Sequence, residues 1–265
     1  MALNIADLFE HAVDAVPERV AAVCGGRRVT FAELDARASR LAHHLAAHGV
    51  GRGSHVGVYA RNSIEALEAM IAAYKLRAIA VNVNYRYVHG ELKYLFEDAD
   101  LVALVHQREY SDKVAAVLPE TPKLKHVVVI EDGSDGDYES YGGVEYETAL
   151  AGASPERDFE ERSADDLYIL YTGGTTGYPK GVLWRHEDIW RALGGGINFV
   201  TGEYVRDEWQ QSEDGKAGAL VRLAAAPLIH GAAQWATFGA LFSGSTVVYV
   251  PQFDAHEIWK ALQAN

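Results

Sequence analysis

Apolar positions recur at helical spacing from the start of the chain. Ile5, Leu8, Phe9, Ala12 and Val13 share one face and Pro17 stops the pattern, which predicts a helix over about residues 5–16. Val20–Cys24 and residues 28–30 read as two strands turned by Gly25-Gly26 into a hairpin. Thr30 and Glu33 then have the spacing of a capping box, and Leu34, Ala38, Leu41, Ala42 and Leu45 line the next helix up to Gly49.

From His55 the pattern becomes short apolar runs alternating with amphipathic helices. The runs cover residues 55–60, 78–83, 101–105 and 126–130. The helices between them carry Ile64, Leu67, Ile71 and Tyr74, started by Asn62 and Glu65, then Leu92, Leu95 and Phe96, then Val114, Val117 and Leu118. Near-continuous apolar strands joined by helical crossovers predict a parallel sheet covered on both faces. The expected fold class is therefore α/β, with layered βαβ subdomains whose mostly parallel sheets are flanked by helices.

Residues 131–137 and 154–166 are acidic and rich in small polar residues, so they read as solvated loops without special chemistry around a short helix at 146–151. An apolar run at Tyr168 to Tyr171 enters a glycine- and threonine-rich loop, and a short strand at 181–184 leads to a helix from His186 through Trp190 to about residue 200. Gly194-Gly195-Gly196 interrupts that helix, at about 1 kcal/mol per glycine relative to alanine. Either the helix kinks or ends there, or the bare backbone leaves room for a bulky ligand. Residues 205–218 read as a polar surface excursion kept wet by Asp207, Glu208, Glu213 and Asp214. A strand at 223–227, a stretch at 229–243, a strand at 246–250 and a helix at 253–262 resume the alternation. The expected organisation is a 1–54 helix-hairpin-helix segment packing on the main domain, a first α/β subdomain at 55–160, and the loop-bearing part of a second at 161–265.

Composition adds limits rather than chemistry. The 265 residues are 49% hydrophobic and 23% charged, enough for a sizeable core, and the net charge of −13 disfavours nucleic acid and anionic membrane surfaces. The single cysteine, Cys24, lies in an apolar strand and reads as core. No secretory signal or membrane-span pattern appears, so a cytoplasmic location is expected. The histidines show no metal-ligand spacing such as His-Glu-x-x-His, and no metal site is expected. An unfinished sheet edge after Val250 leaves homo-oligomerisation open.

The stretch with chemistry is Tyr171-Thr172-Gly173-Gly174-Thr175-Thr176-Gly177-Tyr178-Pro179-Lys180-Gly181. Glycines let backbone N–H groups turn to a common point, threonines add hydroxyl donors, and Lys180 adds a positive charge: a cradle for polyphosphate. It lacks the Gly-Lys-Ser/Thr of the common nucleotide-triphosphatase loop. A second constellation, Pro227-Leu228-Ile229-His230-Gly231, puts a histidine at a strand end, where it either packs structurally or faces a ligand crevice.

The loop resembles the phosphate-loop signature of the adenylate-forming acyl-CoA synthetases, with Gly173 in place of the usual serine. The N-terminal helix, hairpin and Thr-Phe-Ala-Glu-Leu helix are similar to the same family's opening, so the likeness covers essentially the whole chain. The resemblance implies ATP-dependent activation of a carboxylic acid as acyl-AMP with release of pyrophosphate, then thioester formation with CoA, with Mg2+ accompanying the nucleotide. Carried over, Thr172, Gly173, Gly174, Thr175, Thr176, Gly177 and Lys180 bind the phosphates, and His230 with Gly231 lies beside the acyl carboxylate and the pantetheine route. His186 opens a helix in a capping and packing role.

Tyr141-Gly142-Gly143-Val144-Glu145 and Trp184-Arg185-His186-Glu187-Asp188-Ile189 are similar to actinobacterial CoA ligases acting on steroid side-chain carboxylates. A medium- or long-chain fatty acid is the alternative substrate. A luciferase-like or peptide-synthetase adenylation domain, and a non-catalytic nucleotide- or phosphate-binding module, are the alternative functions. The family's later motifs, including its C-terminal lysine, do not occur up to Asn265, so the chain resembles an N-terminal portion expected to be catalytically incomplete alone.

Overall fold

A computed structural model describes residues 3–173, 177–197, 201–218 and 220–265. Helix α1 (Ile5–Ala15) is capped by Asn4, whose side-chain oxygen accepts from the Ala6 N–H at 2.7 Å. The hairpin β1 (Val20–Cys24) and β2 (Arg27–Thr30) leads into α2 (Phe31–Ala47). The predicted capping box is present: the Glu33 N–H donates to Thr30 Oγ1 at 3.1 Å, and the Thr30 N–H donates to Glu33 Oε2 at 2.7 Å. These bonds satisfy donors that a first helical turn leaves without partners.

The alternating pattern becomes β3 (His55–Tyr59), α3 (Ile64–Lys75), β4 (Ile79–Asn82), α4 (His89–Asp98), β5 (Leu101–Gln107), α5 (Ser111–Val117) and β6 (His126–Ile130), followed by β7 (Val144–Glu145) and α6 (Tyr146–Ala151). The strands form one sheet in the order β4-β3-β5-β6-β7, with every neighbouring pair parallel. One start signal differs from expectation. Ser63, not Asn62, caps α3, its Oγ accepting from the Ala66 N–H at 3.0 Å, which leaves the Asn62 side chain for a tertiary role.

An antiparallel pair, β8 (Leu167–Thr172) and β9 (Lys180–Arg185), follows, then α7 (His186–Leu193) and α8 (Gln210–Ala217). The remaining elements are β10 (Val221–Ala224), α9 (Gly231–Phe242), β11 (Thr246–Tyr249) and α10 (Ala255–Ala264). A second sheet has the order β10-β11-β1-β2, in which β1 is parallel to β11 and antiparallel to β2. The hairpin of the first thirty residues thus shares a sheet with strands near the other end of the chain. One continuous core runs through both halves and includes Phe9, Leu41, Leu67, Trp190 and Phe238.

Three expectations need correction. The predicted helix from His186 ends at Leu193 with Gly194 as its C-cap, and residues 198–200 lie outside the described residues. The 205–218 excursion contains α8, buries Glu208, and gives its Gly215 carbonyl to Arg19 Nη1 at 2.8 Å. The acidic stretch at 154–166 is more than solvated loop. Arg157 pairs with Asp14 and Asp35, Arg162 pairs with Asp7 and Glu10, and Asp166 accepts from Asn4 and Arg77. With Lys75, fully buried and paired to Glu10 and Asp35, these residues strap the stretch across α1, α2 and α3. Charge counts missed this because the arginines in the stretch neutralise acids elsewhere in the sequence.

His186 also has a position that its sequence did not disclose. It is fully buried, its Nδ1 accepts from the Ile5 N–H at 3.2 Å, and its Nε2–H donates to the Leu167 carbonyl at 3.1 Å. The ring joins the start of α1 to the start of β8 as a neutral imidazole. Burial pushes its pKa down to about 4.

Candidate active site

The glycine- and threonine-rich loop begins and ends on paired strands. Thr172, the last residue of β8, stands opposite Lys180, the first of β9, and both are exposed. Gly173 and Gly177 lie on either side of Gly174, Thr175 and Thr176, and these three predicted donors lie outside the described residues. The register itself carries information: an antiparallel pair returns the chain so that the lysine emerges beside the threonine.

A buried asparagine fixes the base of this loop. Asn82 Oδ1 accepts from the Tyr171 N–H at 2.8 Å, and Asn82 Nδ2 donates to the Tyr171 carbonyl and to the Ile229 carbonyl, each at 2.8 Å. Tyr171 precedes Thr172, and Ile229 precedes His230. One side chain therefore ties the phosphate-loop candidate to the histidine turn at the carboxyl end of β4, the edge where open α/β sheets bind ligands. The Tyr171 hydroxyl adds a bond to Asp98 Oδ2 at 2.8 Å.

Asn62 does the same for the neighbouring turn. Its Oδ1 accepts from the Leu228 N–H at 2.7 Å, while Nδ2 donates to the Ala226 and Val250 carbonyls, both at 3.2 Å. Gln234 completes the set, donating to the Leu228 carbonyl at 2.7 Å and accepting from the Tyr168 hydroxyl at 2.6 Å. Sequence reasoning missed all three amides as site-building residues. The available signal was a polar residue closing an otherwise apolar strand, as Asn82 does after Ile79-Ala80-Val81.

His230 is exposed, sits at the N-cap of α9 with φ −108° and ψ 137°, and donates its backbone N–H to the Pro227 carbonyl at 3.0 Å. Behind it, Gly231 lies so close to β8 that a Cβ there would come within 2.6 Å of Leu170 Cδ2. Gly231 also lines a cavity of about 500 Å3, whose wall includes Gly194, Gly195, Trp235, Ala236 and Gly239. The helix reading of the glycine run holds, since α7 ends at Leu193, and Gly194 and Gly195 also line the cavity. Gly195 has φ +92°, and Gln211 secures this corner by accepting from Trp190 Nε1 at 2.7 Å and donating to the Gly194 carbonyl at 2.9 Å.

Cys24 plays no part in this geometry. It is half-buried with its Sγ 3.5 Å from the Asn62 carbonyl, and burial, with the Glu65 charge nearby, pushes the thiol up to about 12.

A family model described as AMP-binding enzyme matches residues 9–265. The chain belongs to the AMP-binding enzyme family. Over 263 residues the chain is 64% identical to 3-oxocholest-4-en-26-oate–CoA ligase of Rhodococcus rhodochrous, covering 99% of the chain and 47% of that protein. It is 57% identical over 266 residues to a medium/long-chain-fatty-acid–CoA/3-oxocholest-4-en-26-oate–CoA ligase of Mycobacterium tuberculosis, covering 100% of the chain and 48% of the relative. The chain thus spans about half the length of the curated relatives it matches.

Among solved structures, a putative long-chain-fatty-acid CoA ligase from Rhodopseudomonas palustris matches with a TM-score of 0.80 at 26% identity, covering 98% of this chain and 61% of that one. The layered α/β architecture with mostly parallel sheets is shared with the N-terminal parts of adenylate-forming enzymes. No helix among the described residues is long and apolar enough to cross a membrane.

Proposed function

We propose that this chain supplies the carboxylate-activating part of an AMP-forming acid–thiol ligase whose acid is a steroid side-chain carboxylate. The observation that carries the reading is the 64% identity to a relative named for 3-oxocholest-4-en-26-oate, extending over 99% of the chain. In the proposed reaction, a carboxylate oxygen of the acid attacks the α-phosphorus of ATP and pyrophosphate leaves. CoA thiolate then attacks the acyl carbon and releases AMP.

The residues present suit the first step. Thr172, Lys180 and the intervening glycine- and threonine-rich loop offer donors and a positive charge to the departing phosphates, where negative charge accumulates. Mg2+ is proposed to enter with the nucleotide, held largely by phosphate oxygens and water. Asn82 holds the loop base against the turn bearing the exposed His230, whose chain neighbour Gly231 lines the cavity. Gly194, Gly195, Ala236 and Gly239 contribute little side-chain bulk to a lining that also includes Leu193, Gln211, Arg222 and Trp235, and this bare stretch suits a wide, rigid acyl group.

A second reading, a medium- or long-chain fatty acid, is favoured by the double name of the Mycobacterium tuberculosis relative. Competition of the two acid classes in AMP-forming turnover, by a protein of the relatives' full length that carries this chain, separates the readings. Preference for 3-oxocholest-4-en-26-oate supports the steroid assignment. Preference for linear acyl chains overturns it.

A further inference from the structure

Three imidazoles converge on the far side of the molecule from the loop. His44 lies in the last turn of α2, His48 follows as its C-cap, and His126 opens β6. Spacing of four residues puts His44 and His48 on one helix face. The ligand nitrogens of the three rings all lie within 4.8 Å of one another. His44 Nε2 and His126 Nε2 are 2.9 Å apart, and the His48 ring stacks on that of His126 with centroids 3.8 Å apart.

The expectation of no metal site overlooked that His44 and His48 already have the i, i+4 spacing of two helical ligands, and the third imidazole comes from a strand 78 residues beyond His48. We propose that His44, His48 and His126 form a site for one divalent transition-metal ion, Zn2+ by ligand type, with water in the fourth position. Three imidazoles and an open position constitute a known zinc donor set, whereas Mg2+ prefers oxygen ligands.

The surroundings support the site in two ways. His48 Nδ1 lies 2.8 Å from the His44 carbonyl, so Nδ1–H donates and Nε2 keeps its lone pair, the arrangement that orients metal-binding histidines. The cluster also sits at the C-terminal end of a 17-residue helix, where the backbone's partial negative charge favours a cation. Tetrahedral Zn–N bonds of about 2.0–2.1 Å place ligand nitrogens about 3.3 Å apart. Metal binding would replace the 2.9 Å Nε2–Nε2 hydrogen bond between His44 and His126 and unstack the His48 ring from that of His126.

This site is independent of the proposed ligase reading. His126 begins β6 while Asn82 ends β4, and both strands run parallel in one sheet, so the cluster and the loop occupy opposite sheet edges. Bound metal would pin the end of α2 to the first sheet.

The test is calorimetric titration of the tag-free 265-residue chain with Zn2+, with Mg2+ as the control ion and Co2+ absorption as a reporter of coordination. Expected are one equivalent of Zn2+, no comparable Mg2+ binding, and the intense visible bands of tetrahedral Co2+. His48→Ala, at an exposed position, should fold normally and raise the Zn2+ dissociation constant at least tenfold, while His43→Ala should leave it unchanged. Absence of stoichiometric binding, or binding that survives His48→Ala unaltered, overturns the site.

Discussion

Asn82 and Tyr171 are joined by a two-bond bracket: the asparagine amide accepts from the Tyr171 N–H and donates to the Tyr171 carbonyl, both at 2.8 Å. A side chain here does what a neighbouring strand does in a sheet, and its remaining donor bond holds the Ile229 carbonyl. The end of β8 and the turn before α9 are thereby fixed relative to β4.

Asn82→Asp keeps the size but loses the two donor bonds and places a charge in a buried position. Each buried carbonyl left unpaired costs about 1–3 kcal/mol, so a loss of at least about 2 kcal/mol is expected in urea unfolding. Asn82→Asp should also lower carboxylate activation beyond the loss of folded protein. Unchanged stability with full activity would show that the bracket has no positioning role.

Gly239 faces the cavity from within α9, and a Cβ there meets nothing closer than the Gly194 oxygen at 3.7 Å. The backbone therefore accepts a side chain, and replacing glycine inside a helix gains roughly 1 kcal/mol of propensity. Gly239→Leu is predicted to keep or raise the melting temperature while reducing kcat/KM for a steroid acid more than for a linear acid. Equal loss for both acids would contradict the placement of the ring system in this cavity.

His106 and His186 are buried as neutral rings, each with one nitrogen donating to a backbone carbonyl and the other accepting: His106 from the Tyr141 hydroxyl at 3.0 Å, His186 from the Ile5 N–H. Burial lowers both from the ordinary 6.5 to about 4. Between those values the unfolded chain binds more protons than the folded one, so stability rises with pH across this window. The contribution is complete above about pH 6.5 and is lost as pH falls toward about 4. Denaturant titrations over this range should show net uptake of about two protons on unfolding from these rings. His186→Gln should remove about one of them; a pH dependence identical to that of the unsubstituted chain would contradict its assignment as a buried neutral ring.

Much of the first sheet was legible because its strands are apolar runs and its helices are amphipathic; the capping box of Thr30 and Glu33 was legible because it is local. What escaped depends on long-range partners. Asn62 reads as a helix start by its neighbours, yet its amide bonds Leu228 and Val250 far along the chain. Arg162 reads as part of a wet loop, yet its partners are Asp7 and Glu10. For the site, the loop and His230 were visible as motifs, whereas Asn82, which joins them, has no motif because its role is set by two backbone segments that only the fold brings together.

The most direct test of the central claim is acid-dependent exchange of pyrophosphate into ATP by a protein of the relatives' full length that carries this chain, with and without Lys180→Ala. Lys180 is exposed, so the substitution should leave folding intact. Removing one preorganised electrostatic contact at the reacting phosphates costs on the order of 10²–10³ in rate. The account predicts exchange that requires a carboxylic acid, favours 3-oxocholest-4-en-26-oate over palmitate, and falls by about that factor in Lys180→Ala. Exchange that is indifferent to Lys180, or that proceeds without an acid, would contradict it.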